Sequence, residues 1–373
     1  MWSRFKTLDP FLALLPLILM AVSVVVVYVL TVDTAGAATA LRQLSFSCIG
    51  LVLLGVGTFL DYRAFAAWSR WLYLVGLVLL GAVEVLGLQA YGAARWIDLG
   101  PFQLQPGELM KWVLLVALAT ILGRRQLVTS ARGLLLALVC IGVPVVLVLL
   151  QPDLGTALVL SVMSGAVLFH SRISQRAKGI VAALVMAGVG SIILSFNQVG
   201  PFTNLLKEYQ KERLTSFVNP AADPAGSGYN VIQSTIAVGS GGLLGKGLGF
   251  GSQSQLNFLP VAHADFIFAG IAEAWGLLGS TLLLAVYAIL IYRVLAAAQI
   301  AGDEFGMLLC VGVAAKLSFE VVVNVGMNMG IMPVTGIPLP FLSYGGTTLI
   351  TNAILLGMVQ SVVIRYKRLT FDR

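Results

Sequence analysis

The chain has 373 residues, 58% of them hydrophobic and 10% charged, with a formal net charge of +7. A water-soluble chain of this length could not hide so much apolar surface, so its solvent must be lipid. The basic excess does not call for a nucleic-acid partner, because its distribution along the chain has a topological reading.

A helix that crosses a bilayer needs about 20 apolar residues. Runs of that kind centre on 10–31, 44–60, 72–88, 107–122, 133–150, 154–170, 179–196, 265–293, 305–329 and 346–364. Together with the absence of alternating barrel segments, they predict an all-α, polytopic membrane protein of about ten transmembrane helices. No internal repeat is visible, so residues 1–373 are expected to form a single transmembrane domain. Of the 23 Lys and Arg residues, 15 fall at one set of helix ends, including Arg63, Arg70, Arg124, Arg132, Arg172, Arg293 and Arg365. That bias predicts cytoplasmic termini.

The first run is followed by "TAGAATA", which resembles a small-residue cleavage site. The apolar stretch before it is too long for a signal peptide, and cleavage would leave an odd number of helices. Cys48, Cys140 and Cys310 lie within predicted helices, where they read as small buried apolar residues rather than a disulfide framework.

After the seventh run, residues 197–264 form an extracytoplasmic loop far longer than most connections. Within it, "TNLLKEYQKERLTSF" (203–217) sets Leu205, Leu206, Tyr209 and Phe217 near one face, predicting a surface helix that Asn219-Pro220 ends. The segment "SGGLLGKG" (240–247) imitates a phosphate-binding loop, but Ser240 stands where glycine is required and Gly247 follows Lys246. No buried strand precedes it, and the match is rejected. His170 and His263 fall on opposite membrane faces, so no zinc cluster is expected.

Asp265, beside His263, opens the eighth helix, and two readings stand: an N-cap, or a functional carboxylate at an outer mouth. The same outer layer holds "RWIDLGPFQLQPGELMK" (95–111), "QPDLGT" (151–156) and "GIPLPFLSYGG" (336–346). Glu108 and Lys111, three apart on one helix, share a face, and ion pairing and substrate contact are both open to them. Lys316 and Glu320, four apart and deeper, read as a packing pair. Trp96 beside Arg95 is an interfacial aromatic or a groove wall, and Asp153 after Pro152 reads first as a helix cap. Glu84 and Glu273 have no assignable partners.

At "NVGMNMGIMPVTGIPLPFLSYGGTTL" (324–349) the chain resembles the SEDS family (shape, elongation, division and sporulation) of bacterial cell-wall proteins. "GELMK", "QPDLGT", "GSGGLLGKG" and "HADFIFAGIAE" follow the family's order, so the likeness covers nearly the whole chain. It is similar to the elongation-type members more than the division-type. Two departures are Ala264, where the family often has Thr, and Ala274, where it often has a second Glu.

The resemblance implies a peptidoglycan glycosyltransferase of the bacterial inner (plasma) membrane that polymerises lipid II into a growing glycan strand. A class B penicillin-binding protein would supply transpeptidation. The resemblance places the essential carboxylate on Asp265 and supporting roles on Arg95, Trp96, Glu108, Lys111 and Asp153. Arg95, Lys111, Arg213 and Lys246 are on the side where a pyrophosphate leaving group needs positive charge, with a magnesium or manganese ion as a further candidate. His263, Ser343 and Tyr344 complete the outer-layer candidates for substrate contact. Two other readings stay open, a lipid II flippase and a non-enzymatic scaffold for the penicillin-binding protein.

Overall fold

The computed structural model describes residues 7–32, 36–90, 93–98, 100, 102–124, 130–197, 208–220, 228–256, 258–259 and 261–371. Its long helices are α1 (Pro10–Thr31), α2 (Gly36–Phe59), α3 (Tyr62–Leu86), α4 (Pro106–Leu122), α5 (Ala131–Leu150), α6 (Leu154–His170) and α7 (Gln175–Phe196). Three short outer helices follow: α8 (Glu208–Val218), α9 (Tyr229–Ser240) and α10 (Ser252–Gln255). The chain then closes with α11 (Ile267–Gln299), α12 (Glu304–Asn328) and α13 (Gly346–Phe371). Eight of these helices are long and apolar enough to cross a membrane. With α4 and α6, each of 17 residues and so about 25 Å long, they match the ten expected spans. The protein is a multi-pass membrane protein.

Local sequence sets six of the helix starts. Asp9, Asp61, Ser130, Asp153, Ser174 and Asp303 each accept a backbone N–H from the first turn of the helix they open. The outer face of the bundle carries exposed Val78, Leu135, Leu184 and Met186, as expected where lipid rather than water is the neighbour. α12 and α13 form the centre, whereas α7 is almost wholly peripheral. Cys140 and Cys310 are buried, but Cys48 is exposed on α2, so the buried reading fails for that one cysteine.

Between α3 and α4 the chain makes a small antiparallel sheet, β1 (Leu88–Ala90), β2 (Ala93–Asp98) and β3 (Gln103–Leu104), in that order. It is too small to alter the all-α class, and it carries Arg95 and Trp96 on β2. In the long loop, α8 stops at Val218, just before Asn219-Pro220, as the sequence requires. Leu205 and Leu206 lie outside the described residues, as does the side chain of Tyr209.

α11 departs from the continuous helix that its apolar run predicts. Gly276 sits at φ 63°, ψ −161° and breaks it into a short outer piece and a long inner one. The glycine-rich stretch fills the break. Lys246 and Gly247 donate N–H bonds to the carbonyls of Glu273 and Ala274, and Leu277 and Leu278 donate to Gly242 and Leu243. A Cβ on Gly276 would stand 2.4 Å from the Gly245 nitrogen, and one on Gly245 would stand 2.2 Å from the Ala274 oxygen. The phosphate-loop lookalike is therefore a splint, and backbone contact requires glycine at Gly241 and Gly245.

Candidate functional site

The candidate site is built around the turn at residues 261–266 that leads into α11. Three successive carbonyls in this turn accept hydrogen bonds from elsewhere in the fold. His263 O accepts the Tyr344 N–H at 2.9 Å, and Ala264 O accepts the Ser343 hydroxyl at 2.7 Å. Asp265 O accepts side-chain amides of Asn324 at 3.0 Å and Asn328 at 3.2 Å. The 336–346 loop is itself braced: Ser343 Oγ also accepts Leu339 N–H, Ser23 donates to Leu342 O, and Tyr287 donates to Pro340 O. The His263 and Tyr344 rings meet edge to face with centroids 5.4 Å apart. Residues from α1, α11, α12 and the last loop thus fix one short stretch of backbone.

The Asp265 carboxylate is not used in that bracing. The N-cap of α11 is Phe266 and has no side-chain cap bond, which overturns the simple capping reading of Asp265. Among the described residues, no hydrogen bond engages its side-chain oxygens. One of them faces the Gly336 turn, where a Cβ would lie 3.5 Å away and φ is +72°. Burial pushes the Asp265 pKa up, the charge of Arg213 pulls it down, Asp153 raises it and Arg95 lowers it. Four sequence candidates from four separate segments are therefore within electrostatic reach of one another. Burial also lowers the pKa of His263, favouring its neutral form.

Asp153 caps α6, as its sequence suggests, accepting from Thr156 N–H at 3.1 Å and Thr156 Oγ1 at 2.9 Å. Gln105 Nε2 stands 3.4 Å from its second oxygen. Arg95 reaches from β2 to the carbonyls of Gln151 and Pro152, tying the small sheet to the α5–α6 turn. Trp96 is half-buried beside it on β2.

Other candidates lie elsewhere. Lys246 is committed to Glu273 at 3.1 Å and also donates to Ser240 and Ser252. The buried Glu273 accepts backbone N–H bonds from Gln253 and Ser254 as well, which supplies the partner its sequence left open. Lys246 thus serves the α11 splint, and the pyrophosphate role expected of it is not supported by its bonding. The side chain of Glu84 lies outside the described residues.

Glu108 and Lys111 pair at 2.6 Å inside the bundle, both essentially inaccessible. Lys111 also bonds Glu320 at 2.9 Å, and Lys316 bonds Glu320 at 2.7 Å and Asn352 at 2.5 Å. Two pairs that read as separate in sequence form one buried chain of alternating sign. Glu108 stands in the first turn of α4, three residues after Gln105, whereas Lys111 is wholly buried between Glu108 and Glu320, so direct substrate contact by Lys111 is not what this packing supports. Sequence inspection also missed Asn324 and Asn328. Their signal was two amides that continue the four-residue spacing of Lys316 and Glu320 along the same helix.

Among the described residues no group of three or more His, Cys, Asp or Glu side chains converges as a metal site.

The FtsW/RodA/SpoVE family model, described as cell cycle protein, matches residues 6–368. Peptidoglycan glycosyltransferase MrdB of Escherichia coli is 39% identical over 369 residues, spanning 99% of this chain and 96% of that protein. Probable peptidoglycan glycosyltransferase FtsW of Coxiella burnetii is 36% identical over 326 residues, spanning 86% and 84%. A solved peptidoglycan synthase complex described as coordinating polymerization and crosslinking contains a chain 34% identical, with TM-score 0.77 and coverage of 96% and 98%. Rod shape determining protein RodA of Thermus thermophilus, solved as an aspartate-to-alanine mutant, gives TM-score 0.69 at 30% identity, covering 97% and 98%.

Proposed function

The chain belongs to the FtsW/RodA/SpoVE family and is a peptidoglycan glycosyltransferase, and we propose that it polymerises lipid II with Asp265 as the general base. The observation that carries this reading is a carboxylate whose main chain is clamped while its oxygens are left without a hydrogen-bonding partner among the described residues. A base must be fixed in position yet open to the proton it takes.

In this reaction a sugar hydroxyl of one lipid II attacks the anomeric carbon of a lipid-linked glycan. The new carbon–oxygen bond forms as the bond to undecaprenyl pyrophosphate breaks, and that group leaves with the electron pair. The hydroxyl proton passes to Asp265, and a single displacement converts the α linkage to β. Pyrophosphate is an acidic leaving group, so a second carboxylic acid is not required, unlike the paired carboxylates of glycoside hydrolases. Arg95 and Arg213, whose charges both act on Asp265, are placed to offset the phosphate charge. A magnesium or manganese ion, if used, would enter on the pyrophosphate rather than in a protein-built cage. Trp96, His263, Ser343 and Tyr344 line the same mouth, the last two chiefly as braces.

The partner in this reading is a class B penicillin-binding protein, which would crosslink the strands as they emerge. The similar chain in a synthase complex supports it. An elongation role is supported by the greater identity and coverage toward MrdB than toward the FtsW relative. The basic helix ends support cytoplasmic termini and a mouth facing outward across the plasma membrane. A flippase would need a polar path through the bundle, whereas the buried charges of α4 and α12 are closed on one another. A mere scaffold would leave Asp265 as a cap, whereas the N-cap position of α11 falls at Phe266 and carries no side-chain cap bond.

The test is polymerisation of fluorescent lipid II by the purified chain with its partner, wild type against Asp265→Asn. Polymer from wild type alone, with both complexes assembled, is expected. Equal polymer from both would remove Asp265 from the chemistry.

A further inference from the structure

In a regular helix the carbonyl of Asp265 would accept the N–H of Ala269, four residues on. That bond is not made. The Asn328 side chain stands in its place: its Oδ1 accepts the Ala269 N–H at 3.0 Å and its Nδ2 donates to Asp265 O at 3.2 Å. Asn324, one turn earlier on α12, donates to the same carbonyl at 3.0 Å and to Ile337 O at 2.8 Å. Ala269 N–H is left with a 3.1 Å bond to Phe266 O, a tighter first turn. Asn328 Nδ2 also donates to Asn324 O at 2.7 Å and lies 3.4 Å from Asn324 Oδ1, which ties the two amides together. Both asparagines have no solvent exposure, so these bonds are made in place of water, and leaving any of them unmade is costly.

We propose that Asn328, supported by Asn324, is a positioning residue that splices its amide into the first turn of α11 and so keeps Asp265 out of the helix with its carboxylate directed to the mouth. Without the splice, Asp265 O and Ala269 N–H can close on each other. The helix would then lengthen toward its N-terminus, and Asp265 would swing from the mouth toward its own helix end, where a carboxylate is a favourable cap. The asparagines continue a stripe on α12, because Lys316, Glu320, Asn324 and Asn328 follow at four-residue steps and all four are buried. The lower half of that stripe is pinned to α4 and α13 by Lys111 and Asn352. The amides are therefore presented from a fixed helix face.

This inference rests on Asp265 being the base. In the full-length complex with its transpeptidase partner, using fluorescent lipid II, Asn328→Ala and Asn324→Ala are expected to lower kcat at least tenfold with KM within about twofold, as for a misdirected catalytic group. Met327→Ala, a buried neighbour on the same helix, serves as a control for general loosening and is expected to lower the melting temperature with kcat retained. In an Asp265→Glu background, whose carboxylate is already displaced, Asn328→Ala is expected to cost much less than in wild type. Wild-type kcat in the asparagine variants, a loss confined to KM, or equal losses in both backgrounds would each overturn the positioning role. Full activity of Asp265→Asn would instead overturn the assignment of the base.

Discussion

Lys111 Nζ lies 2.9 Å from Glu320 Oε1, across 209 positions of sequence, and through that contact two local ion pairs become one buried chain. Charges of both signs alternate from Glu108 through Lys111 and Glu320 to Lys316. Closed in this way, they can remain ionised inside the bundle.

Removing one member should therefore cost more than removing an ordinary polar side chain. Lys111→Met leaves Glu108 without its cation and Glu320 with Lys316 alone, and is expected to destabilise by about 3–5 kcal/mol. The combination of Lys111→Met with Glu108→Gln should be milder than Lys111→Met alone. Thermal unfolding in detergent of both variants checks the sign of that difference.

Asp265→Asn should separate activity from stability. General-base removal typically costs about 10²–10⁴-fold in rate, to be read as initial polymerisation rate. Burial raises the Asp265 pKa in the folded protein. Such a group stabilises fully below its unfolded pKa and loses that contribution as pH rises through the folded one. At neutral pH the charged form is thus a burden on the fold, and the amide is expected to raise the melting temperature.

The pH dependence of kcat should carry the same signature. Burial places its acidic limb above the ordinary carboxylate range, while Arg213 and Arg95 oppose the rise and Asp153 adds to it. Arg213→Gln should move the limb to higher pH, and Asp153→Asn should move it lower. Shifts of the same sign in both variants would contradict the electrostatic arrangement.

Gly276→Ala should damage the splint between α11 and the long loop. The new Cβ would meet Gly245 N at 2.4 Å and Leu243 O at 2.7 Å, at a backbone conformation that favours glycine. A loss of about 1–3 kcal/mol from the backbone alone is expected, measured by thermal unfolding. Reduced polymerisation should accompany it, because the outer piece of α11 follows directly on the turn that carries Asp265.

Chelation gives a different kind of check. If a divalent ion travels with pyrophosphate, EDTA should stop polymerisation and added magnesium or manganese should restore it. The melting temperature of the lipid-free protein should not respond to either ion, since the described residues offer no converging metal ligands. An ion-dependent melting shift would instead point to a site in the protein itself.

Sequence alone determined the helices, their order and the long loop after the seventh apolar run, because apolar length and capping residues are read within one segment at a time. The stop of α8 before Asn219-Pro220 and the Asp153 cap belong to the same local class. Tertiary structure decided what each polar group was for. Lys246 turned from a pyrophosphate candidate into the partner of Glu273, and Glu108 and Lys111 turned inward to Glu320. The break at Gly276 depends on a loop about 30 residues earlier, as the bonds from Lys246 and Gly247 show. Asn324 and Asn328 gained their meaning only when α12 was packed against the start of α11. In lipid a polar group must find a protein partner, and which partner it finds is fixed by helix packing between distant segments, not by local periodicity.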